Sequence, residues 1–188
     1  MKAHLASGNP HKLSELRRVL PGWEIELTDD TAFPPETGST YADNARGKAV
    51  HGRAGAPAGV WVIGEDSGLE ATGLGGRPGI ASARWADDGV ARLLAELEGI
   101  RDRRARYVCV IVASGPEGEE VLAEGRLEGT IATDRRGNEG FGYDPVFVPD
   151  GEQQTVAELG DAWKTANSHR ARAAAAFAAA VLRTGDPG

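Results

Sequence analysis

The fold of this chain is decided by the stretch Val-Trp-Val-Ile-Gly-Glu-Asp-Ser-Gly-Leu at residues 60–69. Its first five residues form a continuous apolar run, which is typical of a strand buried on both faces of a sheet. We predict that a central strand covers residues 60–64 and ends directly before Glu65 and Asp66. Two adjacent carboxylates cost free energy at such a place unless they are paired or bind a metal ion. Because the sites of α/β proteins collect where strands end, the stretch also predicts a candidate site.

The segments on either side of this strand alternate between patterns typical of strands and of helices. Before it we predict strands over residues 2–7 and 23–28, helices over 10–20 and 40–54, and a loop over 29–39. After it we predict Gly-rich loops over 73–79 and 134–145, a hairpin over 105–113 and 120–131, a strand over 146–148, and helices over 87–97, 158–164 and 168–183. Strand–helix units together with a hairpin favour an α/β fold with a mixed β-sheet and flanking helices. The length fits a single domain over residues 1–188.

The composition excludes several classes of protein. Hydrophobic residues make up 40% of the chain and charged residues 26%, which is typical of a globular protein. The net charge of -7 argues against a nucleic-acid partner, and the longest apolar run, residues 173–182, is too short to span a membrane. Cys109 is the only cysteine, so a disulfide framework is impossible, and Lys2 and His4 interrupt the apolar start that a signal peptide needs. We therefore expect a cytoplasmic protein without a membrane or nucleic-acid partner.

Common nucleotide and hydrolase motifs are absent from the sequence. Residues 46–48 (Arg-Gly-Lys) resemble part of a P-loop, but Ala42 and Ala49 stand where that motif needs Gly and Ser or Thr. A dinucleotide pattern that begins at Gly73 is interrupted by Pro78. No Gly-x-Ser-x-Gly elbow and no histidine pair with zinc-ligand spacing occurs. P-loop, serine-hydrolase and zinc-protease functions are therefore disfavoured.

Two polar clusters in the first half of the chain are candidate sites. The first opens a predicted helix, where backbone N–H groups and the helix dipole favour an anion; it consists of Ser7, Gly8, Asn9, Pro10, His11 and Lys12. An ordinary helix cap is the alternative for this cluster. The second is a set of carboxylates, Glu36, Asp43, Glu65 and Asp66. Hard oxygen ligands suit Mg²⁺, and an Asp beside the ion can orient or deprotonate water, whereas a capped turn after a strand is the alternative.

Two further clusters lie in the second half of the chain. Residues 140–145 read Gly-Phe-Gly-Tyr-Asp-Pro, in which the ring of Phe141 can stack on a base and Asp144 can accept hydrogen bonds. A hairpin loop with core aromatics has the same pattern. The last cluster is Lys164 with His169 and Arg170, which fall in the first turn of a predicted helix. A solvent-exposed helix start is the alternative for these charges.

Taken in order, the clusters and their surroundings resemble the inosine triphosphate pyrophosphatase family. Each matching segment is weak alone, but the ordered set is specific and spans residues 7–170, nearly the whole chain. The segments are Ser-Gly-Asn-Pro-His-Lys (7–12), Glu-Thr-Gly (36–38), Asn-Ala-Arg-Gly-Lys-Ala (44–49), Glu-Asp-Ser-Gly-Leu (65–69), Leu-Gly-Gly-Arg-Pro-Gly-Ile-Ala-Ser-Ala-Arg (74–84), Gly-Phe-Gly-Tyr-Asp-Pro-Val-Phe (140–147), and Ala-Glu-Leu, Lys and Ser-His-Arg within 157–170.

The resemblance implies a homodimeric mixed α/β fold with two lobes around a deep nucleotide cleft. It also implies Mg²⁺-dependent hydrolysis of deaminated purine nucleoside triphosphates (ITP, dITP and XTP) to the monophosphate and pyrophosphate. Asp66 would accept the proton, and the metal would be tied to Glu36, Glu65 and Asp66. The phosphates would contact Ser7, Asn9, Lys12 and Lys48, and Gly8, Pro10 and His11 would also bind the substrate. The nucleoside pocket would consist of Ser67, Phe141, Gly142, Tyr143, Asp144, Lys164, His169 and Arg170.

The chain departs from the family pattern at Glu65, where the family has Asp, and at Asp43, where it has Glu. The longer side chain at position 65 can shift the metal geometry, so Asp66 is the better supported acid of the pair. Donors from His169 or Arg170 aimed at the 6-oxo group would reject adenine, which presents an amino donor there. We expect Arg170→Ala to cost activity far more than stability. The alternatives are a pyrophosphatase for pyrimidine or other modified nucleotides, and a nucleotide-binding sensor without turnover.

Overall fold

The computed structural model describes residues 1–28, 33 and 35–184. Its strands are β1 (Lys2–Ala6), β2 (Glu24–Leu27), β3 (Trp61–Ala71), β4 (Arg104–Ser114), β5 (Glu120–Ile131) and β6 (Phe147–Pro149). Its α-helices are α1 (Pro10–Val19), α2 (Tyr41–Gly55), α3 (Gly89–Glu96), α4 (Val156–Asn167) and α5 (His169–Thr184). In this part of the chain no helix is both long and apolar enough to cross a membrane. The predicted loop over 29–39 lies partly outside the described residues, at positions 29–32 and 34.

The strands form one sheet in the order β2-β1-β3-β4-β5-β6. β1 pairs in parallel with β2 and with β3, as two successive strand–helix units predict. β5 pairs antiparallel with β6. The prediction of a mixed α/β sheet with flanking helices is therefore confirmed.

The chain divides into two compact units. The first consists of Met1–Asp66, Cys109–Gly125 and Arg170–Gly188, and the second of Ser67–Val108 and Arg126–His169. Each unit is built from separate stretches of sequence, and β3, β4 and β5 contribute residues to both. Because no linker in the sequence separates the units, composition does not reveal the division. The single domain over residues 1–188 stays a prediction.

The strand that carries Glu65 and Asp66 is longer than the sequence predicts. β3 continues to Ala71, so the prediction that it ends at Gly64 is wrong. Charged residues rarely continue a buried strand, but here both carboxylates have cationic partners that offset the cost of burial. The strand then continues into the core of the second unit, where Leu69 is fully buried. Because successive side chains of a strand point to opposite faces, Glu65 and Asp66 meet different partners.

The core of the first unit packs α1 and α5 against the sheet. Leu5 of β1 and Ile63 of β3 are fully buried in it. An aromatic cluster of Trp23, Trp61 and Phe177 completes the core, with ring centroids between 5.0 and 6.4 Å apart. Edge-to-face and tilted contacts of this kind are favourable for aromatic rings. The packing fixes the N-terminus of α1 and the start of α5 beside the sheet.

The second unit has a core of its own. Leu93 of α3, Tyr107 of β4 and Phe147 of β6 are buried there, and the rings of Tyr107 and Phe147 lie 4.6 Å apart. Tyr143 and Val146 belong to the same core. The Gly-rich segment between β5 and β6 is therefore anchored at its end by apolar packing.

Candidate active site

The first predicted cluster forms the turn between β1 and α1. Asn9 is the N-cap of α1, because its side-chain oxygen accepts a hydrogen bond from the backbone N–H of His11 at 2.9 Å; Pro10 begins the helix. The backbone N–H of Asn9 donates to the hydroxyl of Ser7 at 3.1 Å. The described first turn of α1 contains no acidic residue, so the positive end of the helix dipole keeps its attraction for anions. The cap is thus present, and phosphate binding by the same turn stays a prediction.

Buried charges connect α1, β3 and α5. The fully buried carboxylate of Glu65 lies 2.6 Å from the ammonium of Lys12 and 3.1 Å from the guanidinium of Arg170. Arg170 also forms a short ion pair with Glu15, and the thiol of Cys109 donates to Glu65 at 3.2 Å. We call Lys12, Glu15, Glu65 and Arg170 the buried ion network. Within it, the carboxylate of Glu65 is committed to protein groups on both oxygens.

These partners fix the charge of Glu65. Burial alone would raise the pKa of Glu65, but the positive charges of Arg170 and Lys12 outweigh it and hold that pKa well below its usual value. Burial, aided by the charge of Glu65, raises the pKa of the Cys109 thiol well above its usual value, so the thiol stays protonated and can donate. Glu65 is therefore a permanent anion that holds Lys12 and Arg170 in place.

A second set of polar contacts surrounds Asp66 and comes mainly from α2. The side-chain amide of Asn44 donates to one oxygen of Asp66 at 3.1 Å, and Lys48 donates to the other at 3.0 Å. The ammonium of Lys48 also lies 2.5 Å from the carboxylate of Glu36. Asn44 and Lys48 are four residues apart and so lie on one face of the helix. We call Glu36, Asn44, Lys48 and Asp66 the Asp66 group.

The start of α2 explains one departure from the family pattern. Thr40 and Asp43 form a capping box, in which the hydroxyl of Thr40 accepts from the backbone N–H of Asp43 and the carboxylate of Asp43 accepts from that of Thr40. Asp43 is exposed, and its hydrogen bonds to Thr40 and Ser39 lower its pKa. Asp43 therefore has a structural role in starting the helix that carries Asn44 and Lys48.

Gly64 allows α2 to approach the sheet closely enough for these contacts. A Cβ atom at position 64 would overlap the carbonyl oxygen of Ala45 and lie 2.7 Å from the backbone nitrogen of Ala49. Both are backbone atoms of α2, so they cannot move aside unless the whole helix moves. The missing side chain at position 64 thus lets the polar face of α2 reach Asp66.

The pKa of Asp66 changes in the opposite direction to that of its neighbour. Burial raises the pKa of Asp66, and the charge of Lys48 and the hydrogen bond from Asn44 offset only part of the increase. Burial would lower the pKa of Lys48, but Asp66 and Glu36 outweigh it and raise that pKa, so Lys48 stays cationic. Adjacent carboxylates with opposite pKa shifts are typical of sites that separate a proton acceptor from a permanent anion.

The donor set of the Asp66 group fits a divalent metal ion. The described residues contain no cluster of three or more His, Cys, Asp or Glu placed to hold one. Glu36 and Asp66 nevertheless converge on a single cation, the ammonium of Lys48. Mg²⁺ in nucleotide enzymes takes one or two carboxylates and completes its shell with water and phosphate oxygens, so two carboxylates suffice. Glu65 is the weaker candidate ligand because Lys12 and Arg170 already bind it.

A small polar cavity lies beside the same group in the first unit. Its volume is about 160 Å³, and its lining consists of Pro35, Glu36, Thr37, Gly38, Asp43, Asn44, Gly47 and Lys48. The backbone N–H of Gly38 donates to the side-chain oxygen of Asn44 at 2.9 Å, which ties the cavity wall to α2. The Asp66 group is therefore accessible from this cavity through Glu36 and Lys48.

The second unit brings together four of the eight residues predicted for a nucleoside pocket and adds Tyr107 to them. One oxygen of Asp144 accepts from the backbone N–H of Phe141 at 2.9 Å and from the ammonium of Lys164 at 2.7 Å. The other oxygen accepts from the hydroxyl of Tyr107 at 3.2 Å. The ammonium of Lys164 lies 4.2 Å from the ring centre of Phe141, and the ring of His169 stacks on Tyr107 at 4.5 Å. We call these five residues the Asp144 group.

Gly140 makes the turn before Phe141 possible. Its φ of +77° lies in the left-handed region that side chains disfavour, and a Cβ atom at this position would overlap the carboxylate of Asp144. A side chain at position 140 would therefore strain the backbone and displace Asp144.

The remaining residues that the sequence predicts for the pocket in this unit lie outside the Asp144 group. Gly142 is exposed, and Ser67 is half-buried on β3.

Tyr143 is held by the protein in a way that favours a structural role. Its buried hydroxyl donates to the backbone carbonyl of Ser82 at 3.0 Å, and burial raises the pKa of Tyr143 to about 12. The hydroxyl of Ser82 in turn accepts from the backbone N–H of Leu69 on β3 at 2.9 Å. Tyr143 thus connects the segment 140–145 with β3 inside the second unit. A contact between Tyr143 and a nucleoside stays a prediction.

Three residues of these groups are not singled out by the sequence. Two of them could have been found from helical spacing. Asn44 precedes Lys48 by four positions and Glu15 follows Lys12 by three, so each pair is expected on one face of its helix. Tyr107 lies in a strand pattern, and no local signal relates it to Asp144 or His169. Arg170 was predicted from the sequence for the nucleoside pocket, but in the structure it belongs to the first unit and binds Glu15 and Glu65.

The fold and these groups define an α/β protein with charges suited to phosphate and metal in one unit, and aromatic and hydrogen-bonding side chains in the other. The chain belongs to the Ham1 family, whose model matches residues 3–180. This match confirms the family resemblance that the ordered motifs indicate.

Individual relatives are similar over nearly their whole length. The chain is 44% identical over 191 residues to the dITP/XTP pyrophosphatase of Bdellovibrio bacteriovorus, covering 94% of this chain and 96% of that one. It is 46% identical over 193 residues to the dITP/XTP pyrophosphatase of Mycobacteroides abscessus, covering 94% and 93%. Among solved structures, the Staphylococcus aureus Ham1 protein is 36% identical, with a TM-score of 0.84 over 99% of this chain and 100% of that chain.

Proposed function

We propose that this chain hydrolyses deaminated purine nucleoside triphosphates (ITP, dITP and XTP) to the monophosphate and pyrophosphate, and so removes them from the nucleotide pool. Relatives with 44% and 46% identity are named dITP/XTP pyrophosphatases. The observation that carries the proposal is the arrangement of two adjacent carboxylates, in which Glu65 is paired with Lys12 and Arg170 while Asp66 converges with Glu36 on Lys48. A permanent anion beside a carboxylate suited to accept a proton favours a catalytic site over a passive binding site.

In the proposed reaction, a water molecule attacks the α-phosphorus. The water oxygen forms a bond to phosphorus, the bond between the α-phosphorus and the oxygen bridging to the β-phosphate breaks, and pyrophosphate leaves. The proton that the water loses passes to the carboxylate of Asp66. Asn44 and Lys48 hold the two oxygens of Asp66, so its orientation is fixed before the substrate binds.

The triphosphate is bound by residues of the first unit. The N-terminus of α1 supplies a positive dipole, and Ser7, Gly8, Asn9, Pro10 and His11 form the turn that presents it. Lys12 and Lys48 add positive charge. Glu36 and Asp66 would hold Mg²⁺, which would supply positive charge to neutralise and polarise the phosphate oxygens. Such electrostatic stabilisation is commonly the largest contribution to phosphoryl-transfer catalysis.

Glu65 and Arg170 support this site rather than contact the substrate. Glu65 fixes Lys12 through an ion pair, and Arg170 prevents the carboxylate of Glu65 from turning away. Removing either residue would leave the other buried with one fewer compensating charge. We therefore assign the metal to Glu36 and Asp66, and assign Glu65 to the positioning of Lys12.

The base is bound in the second unit by Phe141, Lys164 and His169 of the Asp144 group, with Ser67, Gly142 and Tyr143 completing the pocket. Lys164 and His169 are the proposed donors to the 6-oxo group of hypoxanthine or xanthine, and Phe141 offers a ring for stacking. Adenine has an amino donor at this position and would leave a buried donor unpaired. Sites built on hydrogen bonds reject such analogues by factors on the order of 10⁴. Asp144 holds Lys164 rather than reading the base, since three donors occupy it.

A panel of nucleoside triphosphates with pyrophosphate detection tests the function. We expect pyrophosphate from ITP, dITP and XTP in the presence of Mg²⁺ and none after chelation with EDTA, with ATP at least about 10² times slower. Preferred turnover of pyrimidine nucleotides would instead support the pyrophosphatase of different specificity. Tight binding of ITP without pyrophosphate release would support the sensor.

We also propose that the chain acts as a homodimer in the cytoplasm, with a small-molecule nucleotide as its partner and neither nucleic acid nor membrane. The family resemblance supports the dimer, and the net charge of -7 supports the exclusion of nucleic acid. Light scattering coupled to size-exclusion chromatography should give twice the mass of one chain. The mass of a single chain across micromolar concentrations would contradict the dimer.

A further inference from the structure

Tyr107 lies on β4 in the second unit and contacts Asp144, which holds Lys164, and His169, which the proposed function assigns to base recognition. Its side chain is buried, and its ring packs against Phe147 in the core at 4.6 Å. Its hydroxyl donates to Asp144 at 3.2 Å. Its ring stacks on the imidazole of His169, with centroids 4.5 Å apart and planes within 8° of parallel. One strand residue therefore supports both a carboxylate and an imidazole of the Asp144 group.

The donors to Asp144 are divided between its two oxygens. Oδ2 accepts from the ammonium of Lys164 at 2.7 Å and from the backbone N–H of Phe141 at 2.9 Å. Oδ1 accepts from the hydroxyl of Tyr107. A carboxylate accepts on both oxygens, and donors on both oppose its rotation about the Cβ–Cγ bond more strongly than donors on one oxygen alone. Tyr107 therefore helps to hold the orientation in which Asp144 presents Oδ2 to Lys164.

We propose that Tyr107 is a positioning residue for base recognition. Its hydroxyl fixes Asp144 and, through Asp144, the ammonium of Lys164; its ring fixes the plane of His169. The inference rests on the proposed function, in which Lys164 and His169 bind the base, and it adds a residue that acts through them. Binding groups need neighbours that lock their rotamers, and a buried aromatic side chain on a central strand is such a neighbour.

Tyr107→Phe tests the hydroxyl alone, because the ring and its contacts with His169 and Phe147 remain. We expect the KM for ITP to rise about three- to tenfold, the scale of one typical hydrogen bond, because the lost bond acts on the base only through Lys164; kcat should stay unchanged within about twofold. The dissociation constant of the product IMP, measured by calorimetry, should rise by the same factor. An unchanged KM and an unchanged IMP affinity would overturn the proposal.

Ile131→Val is the matched control for a purely structural effect. Ile131 is buried in the same core as Tyr107 and belongs to neither binding group. Loss of one methylene should lower the melting temperature by an amount similar to Tyr107→Phe. We expect the KM to rise only in Tyr107→Phe. Equal KM values in the two variants, at similar melting temperatures, would assign Tyr107 to stability alone.

The route through Asp144 is tested in a double-mutant cycle with Asp144→Ala. Removing the hydroxyl should change IMP affinity less than about twofold in that background, and a full three- to tenfold change would exclude Asp144 as the route. Should Asp144→Ala not fold, the comparison with Ile131→Val decides the proposal. An assay of the wild type alongside the variants distinguishes a failure of the proposed function from a failure of the role proposed for Tyr107. Absence of ITP turnover would contradict the proposed function, whereas normal turnover with an unchanged Tyr107→Phe KM would contradict only the role of Tyr107.

Discussion

The Asp66 group and the Asp144 group are each built around a buried aspartate, but the two aspartates are held in different ways. Asp66 shares its lysine, Lys48, with a second carboxylate, and burial raises its pKa. Asp144 binds Lys164 together with a backbone N–H and a phenol. The first arrangement suits a group that exchanges a proton or a metal ion. The second suits a fixed support that keeps a lysine in one place.

The largest effect is expected for Asp66, which is proposed to accept a proton and bind the metal ion. Asp66→Asn should lower kcat for ITP by about 10³-fold or more, because a positioned general base contributes on the order of 10²–10⁴ and the amide is also a poorer metal ligand. The melting temperature should change little, since the amide keeps the shape of the side chain. Pyrophosphate release and thermal melting measure the two quantities. Asp87→Asn, at an exposed position, is the control. Near-normal kcat in Asp66→Asn would remove the proposed proton acceptor.

The buried ion network should respond in stability rather than in chemistry. Arg170→Ala leaves the buried carboxylate of Glu65 with one fewer cation, and breaking a buried ion pair costs roughly 3–5 kcal/mol of unfolding free energy. This expectation reverses the one drawn from sequence, in which activity suffers more than stability. Urea denaturation measures the change, and Arg183→Ala, exposed on the same helix, should cost less than about 1 kcal/mol. Equal stabilities of the two variants would return Arg170 to the nucleoside pocket.

The ion pair between Asp144 and Lys164 leads to a prediction for Lys164. Lys164→Met keeps an aliphatic side chain of similar length but removes the charged donor, so kcat/KM for ITP should fall about 10- to 100-fold, the scale of a hydrogen bond to a charged group. Lys2→Met, at an exposed ion pair, should leave kcat/KM unchanged. If Lys164→Met loses no selectivity for ITP over ATP, the donor to the 6-oxo group is a different residue.

The smallest effect is expected for the aromatic neighbour of that lysine. Phe141→Leu keeps an apolar side chain but removes the ring that faces the Lys164 ammonium and is proposed to stack on the base. We expect the KM for ITP to rise about three- to tenfold. Inhibition by inorganic triphosphate, which has no base, serves as the control and should be unchanged. A parallel loss of triphosphate inhibition would show that the variant disturbs the phosphate site instead.

Much of the fold and of the candidate site follows from local sequence patterns. The apolar run at 60–64 and the hairpin at 105–131 predict a mixed sheet because strand periodicity and turn residues are local properties. The end of β3 could not be predicted locally, because the cationic partners that let the strand continue through Glu65 and Asp66 come from distant helices. The same holds for Gly64, whose close approach to α2 becomes visible only when helix and strand are packed together.

By itself, the sequence determined the kind of fold, the family and the order of the polar clusters, since these depend on residue type and spacing along the chain. Only the tertiary structure shows why the pKa values of the adjacent carboxylates Glu65 and Asp66 shift in opposite directions. Burial acts on both, but two cations bind Glu65, while Asp66 shares one lysine with Glu36. Tyr107 joined the candidate site for the same reason, because its contacts with Asp144 and His169 arise from folding and leave no trace in the local sequence.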